Sequence, residues 1–125
     1  MMTWLAVAIG GALGAMGRYG VTLYTFPLLA NRFPSATLTV NVIGSLLIGV
    51  CYVLIIEKGV IAPEYRTWLM AGFLGAFTTF STFALDAVTL WQNGHGQLAA
   101  LYVATSVIAC IAAVALGIHC TLRLL

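Results

Sequence analysis

Apolar stretches long enough to cross a bilayer, about 20 residues each, can be placed four times in this chain. They run about Thr3–Thr25, Pro34–Ile56, Tyr65–Trp91 and Gln97–Arg123. They leave only short connectors, and Pro27, Pro34 and Pro63 fall at or beside the first two, where a proline starts or stops a helix without kinking one. With backbone groups unable to turn to water in lipid, a chain of this pattern is restricted to spanning helices or a closed barrel, and segments of this length favour helices. Only 6% of the 125 residues are charged, against roughly 25% in ordinary soluble domains. The expectation is an all-α, multi-pass membrane protein in which residues 1–125 form a single integral domain. No residues remain for a soluble domain, so nucleic-acid binding and a water-soluble enzyme site are not expected. The first apolar run is longer than a signal-peptide core and has no basic residue before it, so a retained helix is expected.

Cys51, Cys110 and Cys120 are odd in number and widely spaced inside apolar segments, which fits packing better than a disulfide framework or a metal site. His95 and His119 are isolated from acidic and cysteine neighbours and make poor metal ligands.

Charge placement gives little orientation. With four spans, Lys58, Arg66 and Arg123 fall on the side of the termini, and Arg32 and Arg18 on the other. Three against two is a weak bias under the rule that Lys and Arg stay cytoplasmic. It leaves open insertion in both orientations with antiparallel pairing, or a single orientation set by the N-terminus. Small residues mark close helix contacts: Gly10, Gly11, Gly14, Gly17 and Gly20 in the first span, and Gly44, Ser45 and Gly49 in the second. Such residues let helix backbones approach in lipid, and favour a tightly packed oligomer.

The third span is interrupted by Gly72-Phe-Leu-Gly75-Ala-Phe-Thr-Thr-Phe80-Ser-Thr-Phe83. Glycines, adjacent threonines and phenylalanines at a spacing of three weaken a helix there. Irregular backbone within a membrane survives only where protein or a cavity covers it, which makes the stretch a candidate site. If the backbone after Thr79 is helical, Phe77, Phe80 and Phe83 line one face. A ring edge carries positive charge and suits a small anion, although three such rings are ordinarily core or lipid-facing bulk. Asn41, two turns into the second span, is either interhelical glue or a donor to an anion. Tyr102, Ser106 and Cys110, spaced by four, place hydroxyl and thiol groups on one face of the last span. Asp86 is the one acid well inside a span and Arg18 the one deep base. Both are expected in vestibules or reaching the interface.

These residues resemble the Fluc/CrcB family of small bacterial fluoride channels. The likeness rests on Gly10-Gly-x-x-Gly14-Ala-x-x-Arg18-Tyr19, Thr37-Leu-x-Val-Asn41-x-x-Gly44-Ser45 and the Gly72–Phe83 run, and it covers nearly the whole chain. Ala36 and Ala76 stand where the family often has glycine, and Asp86 where it commonly has glutamate. The resemblance implies four transmembrane helices with the third broken mid-membrane, an antiparallel dual-topology homodimer and two pores lined by both copies. It implies a fluoride path along Phe80 and Phe83, with Asn41 as amide donor, Tyr102 and Ser106 as a polar track, and Ser81 and Thr82 near the break. Arg18 and Asp86 would sit at vestibules. It further implies a structural sodium ion at the dimer centre, held by the backbone carbonyls of Gly75 and Thr78 from each copy. The activity implied is passive fluoride efflux across the inner membrane. Two other readings compete. A small proton-coupled multidrug exporter would need a carboxylate in the first helix, and none occurs between Met1 and Ile56. A non-transporting scaffold would explain the glycines but not the threonine–phenylalanine run.

Overall fold

The computed structural model describes residues 2–28 and 33–125, and among these the regular structure is entirely helical. We number the helices α1 (Met2–Leu28), α2 (Ser35–Glu57), α3 (residues 67–77), α4 (Phe80–Gln92) and α5 (Gly96–Leu124). Among the described residues, three helical runs are long and apolar enough to cross a membrane: Ser35–Glu57, Thr67–Gln92 taken across its interruption, and Gly96–Leu124. The 27 residues of α1 are of similar length, their hydropathy lowered by Arg18 and five glycines. Arg32, part of the charge count above, lies outside the described residues.

Local chemistry sets the helix ends. Pro34 precedes α2 and accepts the Leu38 N–H at 3.2 Å, closing the first turn. The last turn of α2 is wide, with the Lys58 N–H reaching back five residues to the Val53 carbonyl at 2.8 Å, and Gly59 follows at φ +61°. Most of α3 is wound in the same wide manner, and the Gly75 N–H reaches the Met70 carbonyl. Such turns accommodate one extra residue and occur frequently at functional sites. Between α4 and α5 the chain reverses at Asn93–His95, with Gly94 at φ +82°, a conformation that favours glycine.

α1 packs along α3, α2 along α5, and α4 against α5, with α1 and α2 also in contact. Consecutive in sequence, α3 and α4 therefore belong to different pairs, and α2 touches both. The closest contacts are backbone to backbone. A Cβ on Gly10 would fall on the Trp68 carbonyl, and one on Gly14 on the Phe73 carbonyl. Gly49 and Gly117 make the same kind of approach between α2 and α5, against the carbonyls of Val114 and Leu46. This is the packing expected where small residues replace hydrophobic drive. Between these seams lie the buried side chains Val40, Val53, Leu74 and Tyr102, each 2% exposed or less.

Candidate functional site at the interrupted third span

The helical ladder stops at Thr78. Its N–H and its hydroxyl both donate to the Leu74 carbonyl at 3.0 Å. Thr78 then turns to φ −84°, ψ 161° and Thr79 to φ −153°, ψ 120°, two extended residues before α4 begins. In a continuous helix the Thr79 N–H would bond the Gly75 carbonyl four residues back. Here it donates instead to Asn41 Oδ1 at 2.8 Å, while Asn41 Nδ2 donates to the Thr79 carbonyl at 2.9 Å. The paired bonds fix the orientation of the amide, since only the oxygen can take the N–H and only the nitrogen can serve the carbonyl.

Thr79 also caps α4. Its Oγ1 accepts the Thr82 N–H at 3.2 Å, donates to Thr82 Oγ1 at 3.1 Å and lies 3.4 Å from Ser81 Oγ. Ser81 and Thr82 are themselves exposed. The interruption sets two helix ends together: the C-terminus of α3, whose last carbonyls lose their i+4 donors, and the N-terminus of α4, whose first N–H groups have no helical acceptor. The first end is partially negative and the second partially positive.

Two extended residues also redirect the aromatics. Phe77 does not share a face with Phe80 and Phe83, as uninterrupted helical spacing would have had it. It stacks on Phe73 at a centroid distance of 5.9 Å and packs near Gly17 and Gly44, while a Cβ on Gly44 would meet Thr78 Cγ2. Phe80 and Phe83 lie beyond the interruption with centroids 5.4 Å apart, and Phe83 sits 5.3 Å from the ring of Tyr102. Phe33 meets Tyr102 edge-on at 5.5 Å. Tyr102 is fully buried, and its hydroxyl donates to Asp86 Oδ2 at 3.1 Å. Asp86 is half-buried.

A groove of about 390 Å³ runs past these groups. Asn41, Gly75, Thr78, Phe80, Phe83 and Ser106 line it, with Thr79 and Cys110 beside them. Phe80 is 79% exposed. The Ser106 hydroxyl is buried and has no hydrogen-bond partner among the described residues, a condition that normally costs about 1–3 kcal/mol. Tyr102 sits behind Phe83 rather than in the groove wall, and half-buried Arg18 stands on α1, apart from it. Spacing alone did not single out Thr79. The signal available is a threonine at a helix start, obscured because Thr78 offers the same side chain one residue earlier.

No group of three His, Cys, Asp or Glu side chains able to hold a metal occurs among the described residues. A cation at this site would rest on backbone oxygen, and the interruption supplies it. With the Thr79 N–H held by Asn41, the Gly75 carbonyl lacks its helical donor, and Gly75 is exposed, with only the Met70 carbonyl, at 3.5 Å, within reach of an added Cβ. Carbonyls freed in this way suit a hard monovalent ion. In this respect the Gly75 carbonyl fits such an ion.

Apolar helices packed through glycine seams around a polar interruption define a multi-pass membrane protein. The chain belongs to the CrcB-like (camphor resistance) family, whose pattern matches residues 5–118. It is 53% identical over 124 residues to the fluoride-specific ion channel FluC of Saccharophagus degradans, covering 99% of this chain and 92% of that protein. The FluC proteins of Hahella chejuensis and Aeromonas salmonicida are each 45% identical, covering 92% and 95% of this chain and 91% and 95% of their own lengths. These relatives carry the names of channels, not of enzymes.

Proposed function

We propose that this chain is a fluoride-selective channel that lets fluoride leave the cytoplasm down its electrochemical gradient. The observation that carries the reading is the groove at the interrupted span, where an orphaned hydroxyl, an amide and two aromatic rings converge. The Ser106 hydroxyl has a hydrogen to give, and Asn41 Nδ2 retains one N–H after serving Thr79. The edges of Phe80 and Phe83 add weak positive potential, and the N-terminus of α4, with Ser81 and Thr82, adds more. Behind this wall Tyr102 and Asp86 hold each other and fix the Phe83 ring. A narrow path with few donors favours the smallest halide, which sheds its water only where strong, close donors replace it. Arg18 would draw anions toward a vestibule. The exporter reading gains nothing from the relatives or from the site.

The exposure of Phe80 and Gly75 leaves one side of the groove open, and a second copy in antiparallel orientation would close it in the inner membrane. In that dimer the Gly75 and Thr78 carbonyls of both copies would hold a sodium ion. Such an ion supplies fixed positive charge that lowers the cost of an anion in a low-dielectric path.

The test is fluoride efflux from proteoliposomes under a potassium gradient, read with a fluoride electrode beside a chloride control. Rapid fluoride release that requires valinomycin, without chloride release, is expected. No release from well-reconstituted protein would overturn the reading.

A further inference from the structure

We propose that Asn41 acts as a positioning residue for the cation site: by capturing the Thr79 N–H it keeps the Gly75 carbonyl free to bind an ion. The inference rests on the reading that a sodium ion is held at the interruption.

In a helix, each N–H closes onto the carbonyl four residues before it. The ladder here is intact through Thr78, whose N–H still reaches Leu74. The next donor is the Thr79 N–H, and its helical acceptor would be Gly75. A competing acceptor has to intercept it, because in a nonpolar surrounding an unpaired N–H is costly and would otherwise favour closing the turn. Asn41 Oδ1 is that acceptor at 2.8 Å, and the return bond from Nδ2 to the Thr79 carbonyl at 2.9 Å holds the peptide from both sides. An amide is the side chain that can do both, being donor and acceptor on one plane. Thr79 is nearly buried, so water does not substitute readily. One residue of α2 thereby couples the two halves of the site. Its amide forms part of the groove wall, and its bond to Thr79 decides whether a carbonyl is available on the cation side.

If Asn41 were only an anion donor, its removal would lower fluoride flux and leave cation binding alone. The experiment is thermal unfolding of purified full-length protein, followed by tryptophan fluorescence, with sodium chloride titrated against choline chloride at constant ionic strength. Wild-type protein should gain thermal stability with sodium, as a ligand specific to the folded state requires. Asn41→Ala should lose that gain or need roughly tenfold more sodium to reach it, the scale of one or two lost hydrogen bonds. Ser106→Ala, which alters the same groove but breaks no bond at the interruption, should keep the wild-type sodium response. A folded Asn41→Ala protein with the wild-type sodium response overturns the inference, and so does the absence of any sodium response in the wild type. Should Asn41→Ala not fold, the wild-type protein labelled with ¹³C at the Gly75 carbonyl decides the matter. A resonance that moves on sodium titration supports a free carbonyl ligand, and one that stays fixed overturns it. Wild-type protein that responds to sodium but conducts no fluoride would overturn the channel reading and leave this one standing.

Discussion

The contact of α1 with α3 and the part of the bundle around Asn41 and Tyr102, away from the Gly49–Gly117 seam of α2 and α5, hold helices together by opposite means. Along the first, Gly10 and Gly14 lie directly on the main chain of α3, and the atoms nearest an added Cβ are backbone atoms of Trp68, Gly72 and Phe73. In the second, the contact is made by side chains: the Asn41 amide, the Phe80–Phe83–Tyr102 row, the Tyr102–Asp86 bond and an unpaired serine hydroxyl. Backbone contact leaves no space and tolerates no addition. Side-chain contact leaves a groove of about 390 Å³. Close packing and open space are thus allotted to different parts of the bundle, and the extended residues Thr78 and Thr79 are where the chain passes from one to the other.

Substitutions can test how far this division holds. The largest effect is expected at Gly14→Leu, where any side chain would overlap the Phe73 carbonyl. A loss of about 3 kcal/mol or more should appear as failure to recover a monodisperse peak in size-exclusion chromatography. Thr79→Val should come next. It removes the cap and strands the Thr82 N–H, costing about 1–2 kcal/mol in denaturant unfolding, with fluoride flux falling alongside. Phe80→Ile should leave folding unchanged, because the ring is 79% exposed in the single chain. Its flux should drop roughly tenfold, as for a lost contact of about 1.4 kcal/mol, and unchanged flux would remove the ring-edge role. The smallest effect is expected at Gly20→Ala, where nothing lies within 4 Å of an added Cβ. There the helix should gain about 0.5 kcal/mol, visible as a slight rise in melting temperature. A large loss would mean that the α1 seam extends further than the single chain reveals.

The helical class is legible in the sequence because apolar runs of spanning length leave the backbone few alternatives. The pairing of helices is less so. Gly10-x-x-x-Gly14 marks a close approach without saying to what, and its partner begins at Trp68, far along the chain. The same limit applies at the groove. Asn41 and Thr79 are 38 residues apart and Asp86 and Tyr102 are 16 apart, so neither bond has a local signature. Spacing also puts Phe77 on one face with Phe80 and Phe83, since a period counted through Thr78 and Thr79 assumes a helix that two extended residues interrupt. The cap at Thr79 had a readable pattern, and the register between two adjacent threonines hid it.

The switch of partners between α3 and α4 has a consequence for the order in which the molecule is made. A chain emerges from its N-terminus first, and the seam between α1 and α3 needs only the first 77 residues. The groove needs Ser106 and its neighbours on α5, which leaves the ribosome only after the four helices before it. A nascent chain can therefore seal its glycine seam while the polar side of α2, with Asn41, still waits for a cover. The groove is completed only after the seam, and a chain stopped short of α5 would be partly packed with one wall of the groove missing.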